Sequence, residues 1–153
     1  MSTVALQIWF GPIPEKNQRC MDTVKEIYGD DYLLINPPAV DLPILASDYL
    51  KFDLGAEFPN LVYVDCDVEL HKRLDLNADG IACFGYYMGQ PNSGIFAVNG
   101  NPEIFSFCLE EKARRGIPDI YEWTQKVLRD KPVKQIPDEY FTHHTYTLKE
   151  IAE

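Results

Sequence analysis

Short apolar runs alternate with segments of helical period along most of this chain, and that alternation limits the folds open to it. "VALQIWF" (4–10), "DYLLIN" (31–36), "NLVYV" (60–64), "GIACF" (80–84) and "SGIFAV" (93–98) read as strands. "NQRCMDTVKEIYG" lies between the first two, with apolar residues at helical spacing, Asn17 as an N-cap and Gly29 as its stop. Pro37 and Pro38 close the second strand, and "PILASDYLKFDLGAEF" (43–58) reads as a helix with Pro43 near its start. "GYYMGQPN" is expected to be a loop between the fourth and fifth strands. "NPEIFSFCLEEKARRG" and "IPDIYEWTQKVLRD" read as two helices and "VKQIP" as a last strand. Strands alternating with helices imply an α/β fold, with a mainly parallel central sheet flanked by helices. No repeat or linker divides the 153 residues, so a single domain over 1–153 is expected.

Charge narrows the partners. A net charge of −10 makes a phosphate backbone a poor ligand, so no nucleic acid is expected. Any phosphate must be met locally, by a metal, a lysine or backbone amides. No run reaches the roughly 18 apolar residues of a membrane span, and the start lacks the basic, apolar pattern of a signal peptide. Cys20, Cys66, Cys83 and Cys108 are scattered without a CxxC pair. Reduced thiols in a cytoplasmic protein are the simplest account.

The stretch "NLVYVDCDVEL" carries the chemistry. Its apolar strand runs into Asp65 and Asp67, whose side chains, two apart on an extended chain, leave on the same side. Their repulsion and desolvation are costly unless something answers them. A hard divalent cation, Mn²⁺ or Mg²⁺, suits two such oxygen ligands and leaves positions open for a diphosphate. The plainer alternatives are loop capping, or pairing with nearby Lys72 or Arg73. In an open α/β sheet, ligands bind beyond the carboxyl ends of the strands, where this pair falls.

The phrase "ASDYLKFDLGAEFPNLVYVDCDVEL" resembles the hallmark of glycosyltransferases of the DXD-motif, sugar-binding-region type. That group includes capsular-polysaccharide and α-mannosyltransferase-like enzymes and, distantly, the glucosylating clostridial toxins. Ala46, Ser47 and Asp48 match its small-Ser-Asp helix, Lys51 stands where the pattern has arginine, and Asp65-Cys66-Asp67 is the DXD. "LQIWFGPIP" is similar to that family's first strand, and "PNSGIFAVNGNP" to its Asn-x-Gly strand. The likeness reaches from the first strand to about Pro102 and implies a GT-A-like fold, in a short form.

Site residues follow from the resemblance. It implies that Trp9, Phe10 and Gly11, at the first strand's end, lie against the nucleotide base, where an aromatic face can stack. It implies that Asp48 and Lys51, which share a helix face, contact donor-sugar hydroxyls with Ser47, and these two are the catalytic candidates. Lysine loses the planar fork of arginine, and an isolated pair here would read as a surface salt bridge. Asn92 and Ser93 make an ordinary turn on their own; the resemblance brings them to the sugar and diphosphate. In "EYFTHHTYTLKE" the resemblance implies that one of His143 and His144 completes the metal shell, and it puts Lys149 near the diphosphate. The Ser-Trp that follows the histidines in some relatives is missing.

The resulting expectation is a metal-dependent glycosyltransferase taking a UDP-sugar, retention of configuration being implied by the resemblance. Its acceptor is an unidentified glycan, lipid or protein, and a partner protein could supply the acceptor site. Asp67 would bind the cation directly, and Asp65 the cation or the ribose. Two other readings stand beside it. One is a non-catalytic or partner-dependent sugar-nucleotide-binding module. The other is a haloacid-dehalogenase-like phosphatase, whose Asp-x-Asp sits on the first strand. Here two strands precede the pair.

Overall fold

The computed structural model describes residues 3–41, 50–54, 57–74, 81–87, 89–100, 110 and 133–144. The strands are β1 (Val4–Ile8), β2 (Tyr32–Ile35), β3 (Asn60–Val64), β4 (Val68–Leu70), β5 (Ile81–Tyr87), β6 (Gln90–Asn99), β7 (Lys134–Gln135) and β8 (Phe141–His143); helix α1 spans Glu15–Tyr28. Six strands form a sheet in the order β2-β1-β3-β6-β5-β7, and β4 and β8 make a separate ribbon. In the six-stranded sheet three of the five pairings are parallel: β1 with β2 and β3, and β5 with β7. Strand β6 runs antiparallel to both its neighbours. This is the mixed α/β architecture the alternation implies.

Helical residues cover both faces at the centre of the sheet, so the inner strands β1 and β3 are mostly apolar. Leu6, Ile8, Leu61, Tyr63, Phe84, Phe96 and Val98 point to one face, where Phe52 of the helical residues 50–54 packs. Ala5, Val62, Val64, Ile95 and Ala97 point to the other, where Val24 and Tyr28 of α1 meet them. Successive residues divide between the faces as the two-residue period of a strand requires.

Four expectations change at this level. Asn17 is not the N-cap of α1. Pro14 stands there (φ −62°, ψ 151°), and Asn17 lies inside the first turn on the buried stripe with Cys20, Met21, Val24 and Tyr28. Gly29 does end the helix, at φ 55°. "GYYMGQPN" is a hairpin rather than a loop. Gly89 (φ 77°) supplies the left-handed turn that lets β5 and β6 continue past the glycines and proline. The strand in "VKQIP" is not the last, because β8 follows it. Strand β4 was not anticipated, since three residues carry too little pattern and its partner β8 is distant in sequence. The helix expected over 101–116, apart from the helical Glu110, the one expected over 117–130, and most of that expected over 43–58 lie outside the described residues. Among the described residues no helix is long and apolar enough to cross a membrane.

Candidate metal centre

Strands β1, β2 and β3 are parallel, so their carboxyl ends finish on one edge of the sheet. At that edge β3 gives way to a turn over Asp65-Cys66-Asp67, closed by the Val68 N–H donating to the Asp65 carbonyl (3.1 Å). Every carbonyl along the turn is claimed. The Gln7 amide donates to those of Val64 (3.2 Å) and Asp65 (3.4 Å). The Asn17 amide donates to that of Cys66 (3.2 Å), and the His144 N–H to that of Asp67 (3.0 Å). The Asp65 N–H donates to the Gly94 carbonyl on β6 (2.6 Å). A turn tied down at each peptide presents its side chains in a fixed geometry.

Asp65, Asp67 and His143 come together here, each offering one ligand atom within 4.8 Å of the others. His143 arrives because β8 pairs with β4, the strand that leaves the turn, in a register setting His143 opposite Val68. Asp67 Oδ1 lies 3.2 Å from His143 Nε2. That contact has the distance of an ion pair without hydrogen-bond geometry, so this buried oxygen keeps no hydrogen-bond donor. Gly94 backs the group. A Cβ on it would stand 2.9 Å from His143 Cε1 and 3.1 Å from Asp65 Oδ2. Two carboxylates, one imidazole, an orphaned oxygen and a cradle without side chain fit a divalent cation. Lys72 and Arg73 pair elsewhere, with Glu139 (3.3 Å) and Asp31 (3.1 Å).

The two carboxylates make His143 more basic. Burial of His143 disfavours its imidazolium, yet the contact with Asp67 and the fields of Asp67 and Asp65 outweigh both burial and Lys51, raising its pKa above the ordinary histidine value. Cys66 stays a neutral thiol. Burial foremost, then the two flanking aspartates, push its pKa up, while its Sγ–H donates to the Ile8 carbonyl (3.3 Å). It points into the core, away from the ligand atoms.

The remaining sequence candidates sort by position. Lys51 is 1% exposed, and its ammonium donates to the Ser93 carbonyl (3.1 Å) and hydroxyl (3.0 Å) over the Tyr63 ring. Asn92 and Ser93 are buried, and the Asn92 Oδ1 accepts the Gly94 N–H (2.7 Å). These residues reach the site through a bulge: Phe84 pairs with Phe96 but Gly85 with Asn92, so Ser93, Gly94 and Ile95 fall between. Trp9, Phe10 and Gly11 follow β1 at the same edge, where the Asn36 amide holds the Trp9 (2.7 Å) and Gly11 (2.9 Å) carbonyls. The Trp9 indole N–H donates to the Pro12 carbonyl (2.9 Å). His144 faces Glu69 instead (3.7 Å), apart from the group around His143. Ser47, Asp48 and Lys149 lie outside the described residues.

No family model matches the sequence, and no curated protein does. Solved structures do share its shape. One is similar at a TM-score of 0.65 with 16% identity, covering 99% of this chain and 97% of its own; it is a glycosyltransferase involved in the glycosylation of the major capsid of PBCV-1. A second, the galactosyltransferase LgtC in complex with donor and acceptor sugar analogs, has a TM-score of 0.51 at 11% identity, covering 88% of this chain and 73% of its own. The fold is GT-A-like.

Within this GT-A-like sheet, three residues at the centre have no counterpart among the sequence candidates. Gln7 is 0% exposed in an apolar strand, and its Oε1 accepts the Tyr32 hydroxyl (2.8 Å). Tyr63 donates to Asp65 Oδ1 (2.8 Å), and Gly94 forms the cradle. A lone polar residue inside "VALQI" signals Gln7, and the two-residue spacing to Asp65 signals Tyr63. Gln7→Leu should take the amide donor from the Val64 carbonyl and the acceptor from the Tyr32 hydroxyl, each unsatisfied group costing about 1–3 kcal/mol. Thermal unfolding at a clearly lower midpoint is expected, and an unchanged midpoint would remove the role given to Gln7.

Proposed function

We propose that this chain is a glycosyltransferase that takes a UDP-sugar as donor and holds it through a divalent cation on Asp65, Asp67 and His143. The observation that carries this is the hard-donor group at the carboxyl edge of a GT-A-like sheet. Mn²⁺ or Mg²⁺ bound there would offset diphosphate charge and stabilise the leaving group. Asp65 and Asp67 provide the acidic oxygens, and His143 provides nitrogen. The base lies against Trp9, Phe10 and Gly11; Asn92 and Ser93 border the sugar and diphosphate from β6. Ser47, Asp48 and Lys149 enter this reading on the family resemblance, as does retention of anomeric configuration. The fold neighbour LgtC, described with donor and acceptor sugar analogs, supports a donor and an acceptor here as well. The acceptor is a glycan, lipid or protein, with a partner protein able to contribute its site. Three buried free cysteines accord with a cytoplasmic setting.

The inward use of Lys51 favours a second reading, a sugar-nucleotide-binding module without transfer. A catalytic candidate whose ammonium is committed to Ser93 has less to give a donor sugar. Incubation with a panel of UDP-sugars and Mn²⁺ separates the two. Release of UDP that stops on adding EDTA supports the transferase. Metal-dependent binding with no release, acceptors included, supports the module, and absence of both contradicts the site assignment.

A further inference from the structure

Resting on the metal site proposed above, we infer that Tyr63 is a positioning residue that sets which divalent cation the site accepts. The Tyr63 hydroxyl donates to Asp65 Oδ1 at 2.8 Å. The other oxygen, Oδ2, faces the Gly94 cradle beside His143. One carboxylate oxygen is thus engaged by the protein and the other is turned toward the ligand group. The hydroxyl competes with a cation for Oδ1, so Asp65 is disposed to donate through Oδ2.

The hydroxyl has little freedom to leave. Tyr63 is 1% exposed, its ring stacks on Phe96 with centroids 5.3 Å apart, and the Lys51 ammonium lies 5.1 Å from the ring centre. Phe96 is itself stacked with Phe52 (5.6 Å) and Phe84 (5.5 Å), so the phenol stands on a wall of rings. The peptide of Asp65 is fixed from both sides, by Gly94 through its N–H and by Gln7 through its carbonyl. Neither partner of the hydrogen bond can swing to free Oδ1 without moving the core.

Denticity decides between cations. Mg²⁺ and Mn²⁺ take about six ligands in an octahedron, bind one oxygen per carboxylate and keep waters, whereas Ca²⁺ takes roughly 6–8 oxygens and readily accepts a carboxylate through both. A carboxylate limited to one oxygen keeps the ligand count low and the geometry tight. It selects the smaller ions. Tyr63→Phe keeps the stacked ring, removes the donor and releases Oδ1 to the cation.

The test is calorimetric titration of the full chain with Mn²⁺ and, separately, with Ca²⁺, for wild type and Tyr63→Phe. Loss of a partner behind a ligand typically costs about 10–100-fold in metal affinity. Mn²⁺ should weaken within that range while Ca²⁺ holds or tightens, so the Mn²⁺-to-Ca²⁺ preference falls at least about tenfold. A residue that merely packs would weaken both ions in parallel, and an unchanged preference overturns the inference with the metal site intact. Wild-type protein that binds neither ion removes the site and the inference together. If Tyr63→Phe does not fold, 3-fluorotyrosine at position 63 is the second variant. Its more acidic hydroxyl should raise the preference for Mn²⁺, and no change overturns the role.

Discussion

On the proposed site, Asp67→Ala should abolish Mn²⁺-dependent UDP binding while leaving the chain folded. The side chain of Asp67 lies in the ligand group, 24% exposed and 3.2 Å from His143, with Oδ1 lacking a hydrogen-bond donor. Its pairing with His143 is set against its repulsion with Asp65, so its removal is expected to leave the metal-free chain folded. The backbone work at this position survives, because the His144 N–H reaches the Asp67 carbonyl whatever side chain is present. Metal affinity has no such reserve. Losing a direct ligand should cost at least the roughly 100-fold upper end of what loss of an outer partner costs. Calorimetry should show no metal-dependent UDP heat for the variant, with a thermal midpoint close to wild type. Binding at wild-type strength would remove Asp67 from the site.

Gly94→Ala is the second large effect, and it acts by volume. The added Cβ would stand 2.8 Å from Asn92 Oδ1, 2.9 Å from His143 Cε1 and 3.1 Å from Asp65 Oδ2. None of these atoms can yield freely. Asn92 is held by the Gly94 N–H, and His143 is registered by the β4–β8 ribbon. The Asp65 peptide hangs on the Gly94 carbonyl. Overpacking of a tight site typically costs about 1–3 kcal/mol. Here its relief spreads two ligands apart, so a lower thermal midpoint should accompany a loss of Mn²⁺ affinity of more than about tenfold. A variant of full stability and affinity would mean the cradle is wider than its contacts indicate.

What the sequence revealed, and what it hid, divides by range of interaction. The apolar runs of β1, β2 and β3 and the acids at the end of β3 were legible because strand burial and the two-residue period are local. Helix α1 was legible for the same reason, but its start was misread. Asn17 looks like a cap, yet it lies on the buried face and its amide is spent on the Cys66 carbonyl. The β5–β6 hairpin was hidden by Gly85, Gly89 and Pro91, which read as breakers until Gly89 is seen to make the turn. Strands β4 and β8 could not be read at all. Three residues each, they exist through pairing between segments about seventy residues apart, and it is that pairing which sets His143 rather than His144 beside Asp67. Lys51 shows the same limit: as an isolated pair with Asp48 on a helix it would read as a surface salt bridge, whereas the β6 bulge captures its ammonium.

The most direct test of the central claim is calorimetric titration of UDP into the full chain in the presence of Mn²⁺, repeated after adding EDTA. The site built from Asp65, Asp67 and His143 predicts saturable binding with Mn²⁺ that disappears with EDTA. Binding of equal strength under both conditions, or none under either, would contradict a cation-held nucleotide at this edge of the sheet.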